Sequence, residues 1–167
     1  IQIAIYLQEL IFSIRKKNDL IGHRNWVLAV AWNIPSAPER IKSESSTSFT
    51  EKLVSASEDD TLKLWSKRGE LQYTLSGHRA GVLDVCFSPN GEYIISASLD
   101  HTIRLWKASG ECICTIETAS SVTSINYSPV EDLIAAAYSD TVVRLWNLEG
   151  ELVQTLEGHD DWVRAVA

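Results

Sequence analysis

The chain repeats itself with a period of about forty residues, and this limits its fold more than any other feature. Lys63-Leu64-Trp65, Arg104-Leu105-Trp106 and Arg144-Leu145-Trp146 stand 41 and 40 residues apart. Behind each comes a Gly-Glu pair, three further residues, then Thr and Leu or Ile, in Gly69–Leu75, Gly110–Ile116 and Gly150–Leu156. Ahead of them stand Ser55-Ala56-Ser57-Glu58-Asp59, Ser96-Ala97-Ser98-Leu99-Asp100 and the weaker Ala136-Ala137-Tyr138-Ser139-Asp140. Gly-His pairs fall at Gly22-His23, Gly77-His78 and Gly158-His159. Such a unit cannot bury its apolar face alone and stacks on its neighbours to do so.

Within a unit the apolar runs are short, rich in β-branched and aromatic residues, and separated by turn formers. The second unit reads most clearly. Val82–Phe87 predicts a strand, Ser88–Gly91 a turn, Tyr93–Ser98 a strand, Leu99–His101 a tight turn, Thr102–Trp106 a third strand and Glu111–Ile116 a fourth. Four antiparallel strands in roughly 40–45 residues make a β-propeller blade. Gly-His, then Ser-Ala-Ser-x-Asp, then Arg-Leu-Trp resembles the WD-repeat family over residues 19–167. The chain departs from that pattern where the family's aspartate would follow each tryptophan: Ser66, Lys107 and Asn147 stand there. The third unit has Thr118-Ala119 near the Gly-His position and Ala136 in place of Ser55 and Ser96, so its wiring is expected to be the weakest.

The expected fold is all-β, a propeller arc of about three complete four-stranded blades with partial flanking blades. The blades run over residues 23–75, 78–116 and 119–156 within a segment 18–167; Asp19–Ile21 is read as an outer strand, and 162–167 as the first strand of a further blade. The resemblance implies a closed ring, typically of 4–8 blades, which three do not close. Ile1 opens the chain in place of methionine and Ala167 ends it within an apolar alternation, so a piece of a longer protein is expected. Further blades in that protein are favoured over copies that self-associate through exposed blade edges.

Two stretches lie outside the repeat. Residues 1–17 carry Ile3, Leu7, Leu10, Ile11 and Ile14 in a helical stripe that ends in Arg15-Lys16-Lys17, which favours an N-terminal helix or connector. Ile1, Ile3, Ile5 and Leu7 also alternate, so a strand is the rival reading. His23 to Trp65 spans 42 residues against 28 from His78 to Trp106, which leaves about 14 inserted within 33–50. Ser43-Glu44-Ser45-Ser46-Thr47-Ser48 reads there as a mobile loop.

A formal charge of −7 argues against attraction to nucleic acid or to an anionic membrane. No apolar run reaches the roughly 18–20 residues of a membrane span. Cys112 and Cys114 sit too close for a good disulfide and Cys86 stands apart, so reduced thiols and a cytoplasmic setting fit. The four histidines lack ligand spacing, and nothing resembles a phosphate-binding loop; no metal and no cofactor are expected.

Ser, His and Asp recur together, which invites a hydrolase reading, but a triad is recognised by geometry and not by co-occurrence. A tryptophan at fixed spacing supplies a fourth member, whose buried indole N–H needs an acceptor. The structural reading is a chain in which Asp accepts from His, Ser bridges and Trp donates to Ser. The family resemblance implies the same tetrad: His23, Ser55, Asp59 and Trp65 in the first unit; His78, Ser96, Asp100 and Trp106 in the second; only Asp140 and Trp146 in the third, which lacks the His and Ser partners; and His159 in the Gly-His pair that follows. No catalytic residue is assigned.

The positions that the repeat leaves free are more informative about function. Arg24-Asn25-Trp26, Arg79-Ala80-Gly81 and Asp160-Asp161-Trp162 open the first strands, and Glu58, Leu99 and Ser139 precede the turn aspartates. Trp26 and Trp162 either cover a neighbouring blade or are exposed contacts. The expected partner-binding rim comprises Arg24, Asn25, Trp26, Glu58, Arg79, Leu99, Asp160, Asp161 and Trp162. The leading function is a non-catalytic scaffold for other proteins or peptides. The alternative is the sensor part of a larger signalling enzyme, since a helix running into Gly-His-Arg-Asn-Trp-Val resembles bacterial proteins that join a nucleotide-hydrolysing switch to WD repeats.

Overall fold

The computed structural model describes residues 20–33 and 51–167. They form twelve strands in three four-stranded antiparallel sheets, each built from four consecutive strands. Blade 1 holds β1 (Val27–Asn33), β2 (Lys52–Ser57), β3 (Thr61–Ser66) and β4 (Leu71–Ser76). Blade 2 holds β5 (Val82–Phe87), β6 (Tyr93–Ser98), β7 (Thr102–Lys107) and β8 (Cys112–Glu117). Blade 3 holds β9 (Val122–Tyr127), β10 (Leu133–Tyr138), β11 (Val143–Asn147) and β12 (Leu152–Leu156). The helix or strand expected over 1–17 and the loop expected within 34–50 lie outside the described residues. Among the described residues, no helix is long and apolar enough to cross a membrane.

Local chemistry sets these boundaries. Gly69, Gly110 and Gly150 sit at φ of 81°, 96° and 85° in the turn before each outer strand, a left-handed conformation that glycine adopts without steric cost. The turn between the second and third strands puts Asp60, His101 and Thr141 at φ of 65°, 64° and 72°. For the β-branched Thr141 that conformation is strained.

Burial follows position in the blade. β2 and β6 are buried along almost their whole length, whereas β4, β8 and β12 are mostly exposed. Val54, Ala56, Leu62, Leu64 and Leu75 of blade 1 pack on Val82, Val85, Ile94 and Trp106 of blade 2. Ile95, Ala97, Ile103, Leu105 and Ile116 of blade 2 pack in the same way on blade 3. The inner strands β1, β5 and β9 are neighbours across these joints. One repeat slot shows what the stacking does: Val82 and Val122 are 0% exposed within joints, whereas their counterpart Val27, on the free face of blade 1, is 50% exposed.

Neither 162–167 nor Leu20-Ile21, where strands are expected, joins a ladder among the described residues. Residues 162–167 lack a ladder partner there because an inner strand pairs with the second strand of its own blade. They lie instead against β9 and β10: Val163 N donates to Tyr138 O at 3.2 Å, Val166 N donates to Ser124 Oγ at 3.3 Å, and Thr123 Oγ1 donates to Val163 O. Leu20 and Ile21, the described part of the other expected strand, are also irregular.

Candidate functional site

Each blade buries a tryptophan on its third strand, and the surrounding polar groups satisfy its indole N–H. In blade 2, Trp106 Nε1 donates to Ser96 Oγ at 2.9 Å, and His78 Nε2 lies 2.8 Å from the same oxygen. His78 Nδ1 meets Asp100 Oδ2 at 2.9 Å, which also accepts from the Arg79 amide at 2.9 Å. The other carboxylate oxygen caps the turn, accepting from Thr102 N at 3.0 Å and Thr102 Oγ1 at 2.7 Å. Blade 1 carries the same network. Trp65 Nε1 donates to Ser55 Oγ at 2.9 Å, His23 Nε2 is 2.8 Å from that oxygen, and His23 Nδ1 is 3.0 Å from Asp59 Oδ2.

Burial works against the charged forms here, and hydrogen bonds decide the outcome. Burial alone would raise the Asp100 carboxyl, but bonds from Thr102, the Arg79 amide and His78 outweigh it and pull the pKa down to about 2. Asp59, bonded by Thr61, the Arg24 amide and His23, is held well below the usual carboxylate range in the same way. For His78 burial wins over the attraction of Asp100 and lowers its pKa, which favours neutral imidazole. With Ser96 fully buried and already accepting from an indole, its hydroxyl is closed to any substrate.

Blade 3 is wired with other residues. Trp146 Nε1 donates to the hydroxyl of Tyr138 at 2.8 Å, so a phenol from β10 does the work of Ser96. Burial pushes the Tyr138 phenol up to about 12. Asp140 has no histidine and takes two bonds from Arg144, at 3.1 and 2.8 Å, while that guanidinium lies 4.5 Å from the Tyr138 ring centroid. His159 is exposed and makes no side-chain hydrogen bond among the described residues, so it joins none of the three networks.

Sequence reasoning missed Thr61, Thr102 and Tyr138. The threonines had a signal, since each stands two residues after the turn aspartate where blade 3 has Val142. Tyr138 occupies the slot of Ser57 and Ser98, not that of Ser55 and Ser96, and only its length lets it reach the indole.

The rim positions lie at the ends of these networks. The Glu58 amide donates to Trp26 O at 2.9 Å and the Leu99 amide to Gly81 O at 3.0 Å, which sets each turn beside the start of its inner strand. A Cβ on Gly81 would stand 3.4 Å from Glu58 Cα and 3.8 Å from Leu99 Cδ1, so the rims of blades 1 and 2 meet there. Among the described residues, Trp26 is 75% exposed, Trp162 59% and Leu99 45%. Arg24, Asn25, Glu58, Arg79, Asp160 and Asp161 are exposed as well. Among the described residues, no group of three or more His, Cys, Asp or Glu could hold a metal ion.

The chain has relatives of known name. It is 32% identical over 89 residues to nuclear distribution protein nudF of Aspergillus flavus, covering 49% of this chain and 20% of that protein. Nuclear distribution protein nudF 2 of Talaromyces marneffei is 33% identical over 86 residues, 47% of this chain and 19% of its own length. The WD40 repeat-containing protein HOS15 of Arabidopsis thaliana is 51% identical over 43 residues, 25% of this chain and 7% of its own. The chain thus spans no more than about a fifth of the curated relatives it matches. The family described as WD domain, G-beta repeat, matches residues 14–66, 69–107 and 110–147, and with three sheets wired around buried tryptophans the chain belongs to the WD40 repeat family.

Proposed function

We propose that the chain is a non-catalytic scaffold segment that holds other proteins or peptides on the rim formed by Arg24, Asn25, Trp26, Glu58, Arg79 and Leu99, with Asp160, Asp161 and Trp162 at its far end. The exposure of Trp26 carries this reading: an indole 75% open to water, on strands fixed by repeated packing, is available as contact surface. Aromatic residues and arginine supply most interface hot spots, and a rigid support keeps the ordering cost of contact low. The buried Trp, Ser, His and Asp side chains of blades 1 and 2 are already bonded to one another, whereas the rim side chains face outward. Three free thiols fit a reducing compartment such as the cytoplasm.

Site-specific crosslinking tests the assignment. A photo-crosslinking residue at position 26 or 99 is expected to trap a defined partner, whereas the same residue at Tyr73, on the exposed outer strand β4, is not. Equal trapping at Tyr73, or none at positions 26 and 99, would remove the rim from function.

A further inference from the structure

β5 starts beside the rim residue Gly81 and finishes at the opposite end of its blade, as β9 does in the next. Between the turns that follow these two strands lies an open cleft of about 220 Å³. Both turns begin Ser-Pro, but they are built differently. In the turn after β5 the Asn90 side chain works for the fold: its Oδ1 accepts from Ser88 Oγ at 2.6 Å and from Glu92 N at 3.1 Å, and Gly91 takes a left-handed φ of 69°. In the turn after β9, Val130 and Glu131 stand at those two positions. That turn is tied through Ser128 Oγ, which accepts from Glu131 N at 3.1 Å, and through main-chain bonds from Ser128 N to Leu133 O and from Leu133 N to Glu131 O.

The Val130 and Glu131 side chains take no part in this. Val130 is 87% exposed, and no large apolar side chain among the described residues is more so. Valine is not a turn former, so the turn itself does not account for it. Glu131 is exposed and makes no ion pair among the described residues. Beside it, Asp132 Oδ1 accepts from the Tyr127 hydroxyl at 2.7 Å, which leaves Oδ2 open. Pro89 and Pro129 add apolar wall, and among the described residues no Lys, Arg or His lines the cleft.

We infer that this cleft is a second docking site, which takes an arginine side chain of a partner protein together with an apolar residue next to it. Its volume is below the roughly 300–1,000 Å³ of a small-molecule site and suits a single side chain. Two neighbouring carboxylates match the planar fork of a guanidinium, while the aliphatic stem lies on the proline rings. The apolar neighbour covers Val130. A formal charge of −7 makes nucleic acid, an anionic membrane or a second copy of this chain a poorer occupant of an acidic cleft. The site is at the other end of the strands from the rim, so a segment held here leaves the rim free, and either site can stand without the other.

Amide shifts of isotope-labelled protein, titrated with a blocked tetrapeptide of alternating leucine and arginine, test the site. Shifts are expected at Asn90, Val130, Glu131 and Asp132 and not at the rim. The same peptide with citrulline for arginine keeps the shape without the charge and should bind about tenfold more weakly. Glu131→Gln should weaken the arginine peptide about fivefold, and Val130→Asn, which installs the residue of the blade 2 turn, about threefold. Asp132→Asn acts in the same direction; should it unsettle the Tyr127 bond, Glu131→Gln decides, since that side chain supports nothing in the turn. Shifts centred on Asp160 and Asp161, equal binding of the citrulline peptide, or an affinity indifferent to Glu131→Gln would overturn the assignment.

Discussion

In blade 2 the buried indole of Trp106 donates to a serine hydroxyl at 2.9 Å; in blade 3 the indole of Trp146 donates to a tyrosine hydroxyl at 2.8 Å. The strands, turns and tryptophan slot are equivalent, yet His78, Ser96 and Thr102 have no counterparts in the second arrangement. The difference teaches what a blade requires. It needs an acceptor for the indole and a cap for the turn aspartate, and any side chains of the right reach will serve. The two solutions still differ in connectivity. Ser96 Oγ is a hub shared by Trp106 and His78, whereas Tyr138 serves one indole and Asp140 is tied separately to Arg144.

That contrast ranks the substitutions. Ser96→Ala strands both the indole and the imidazole in a dry site, and is expected to cost about 3 kcal/mol, read as a lowered urea midpoint. Tyr138→Phe keeps the ring and strands only Trp146 Nε1, for about 1–2 kcal/mol. Equal losses, or a larger loss in blade 3, would break the distinction between hub and single bond.

Acid should find blade 2 before blade 3. His78 has its folded pKa below the ordinary 6.5, so the folded state resists protonation and its stability contribution, full above that value, drains as pH falls below it. Asp100, ordinarily at 3.8 and at about 2 when folded, adds a second loss as pH falls between those values. Urea midpoints measured from pH 7 to pH 2 should therefore fall in two stages, with His78→Gln flattening the first and Asp100→Asn the second. Blade 3 has no histidine in its network, and Asp140 adds to the low-pH loss only, its pKa being lowered by Arg144 and further hydrogen bonds against the opposing effect of burial.

The smallest effect has the opposite sign. Thr141 holds φ of 72° where His101 holds 64°, and a β-branched residue is the worse fit for that region. Thr141→Asn relieves strain at no cost in hydrogen bonds to the network, and should raise stability by about 0.5–1 kcal/mol in thermal melts.

Much of this was legible in the sequence because repetition supplies its own controls. Ser55 and Ser96, His23 and His78, Trp65 and Trp106 recur in phase, and one chemical requirement explains all of them. Tyr138 was harder to read, since it fills the neighbouring slot and acts through side-chain length. Asp84 was hidden for another reason. Ala29, Ser124 and Ala165 stand at its position in the other units, so no pattern marks it, yet its Oδ2 accepts from Ser124 Oγ at 2.8 Å and from Ile125 N at 2.9 Å across the joint to blade 3. The strand expected over 162–167 has suitable residues, but a ladder depends on the strand beside it.

The central claim is a division of labour: buried networks hold the blades, and the rim meets partners. Paired measurement on two variants tests it most directly, with melting temperature and affinity for the crosslinked partner read for each. Trp26→Ala should weaken affinity about thirtyfold, near 2 kcal/mol, and leave melting almost unchanged. Ser96→Ala should lower melting and leave the affinity of the folded fraction intact. A Trp26→Ala chain that melts early and binds in proportion to what remains folded would assign that indole to packing and contradict the account.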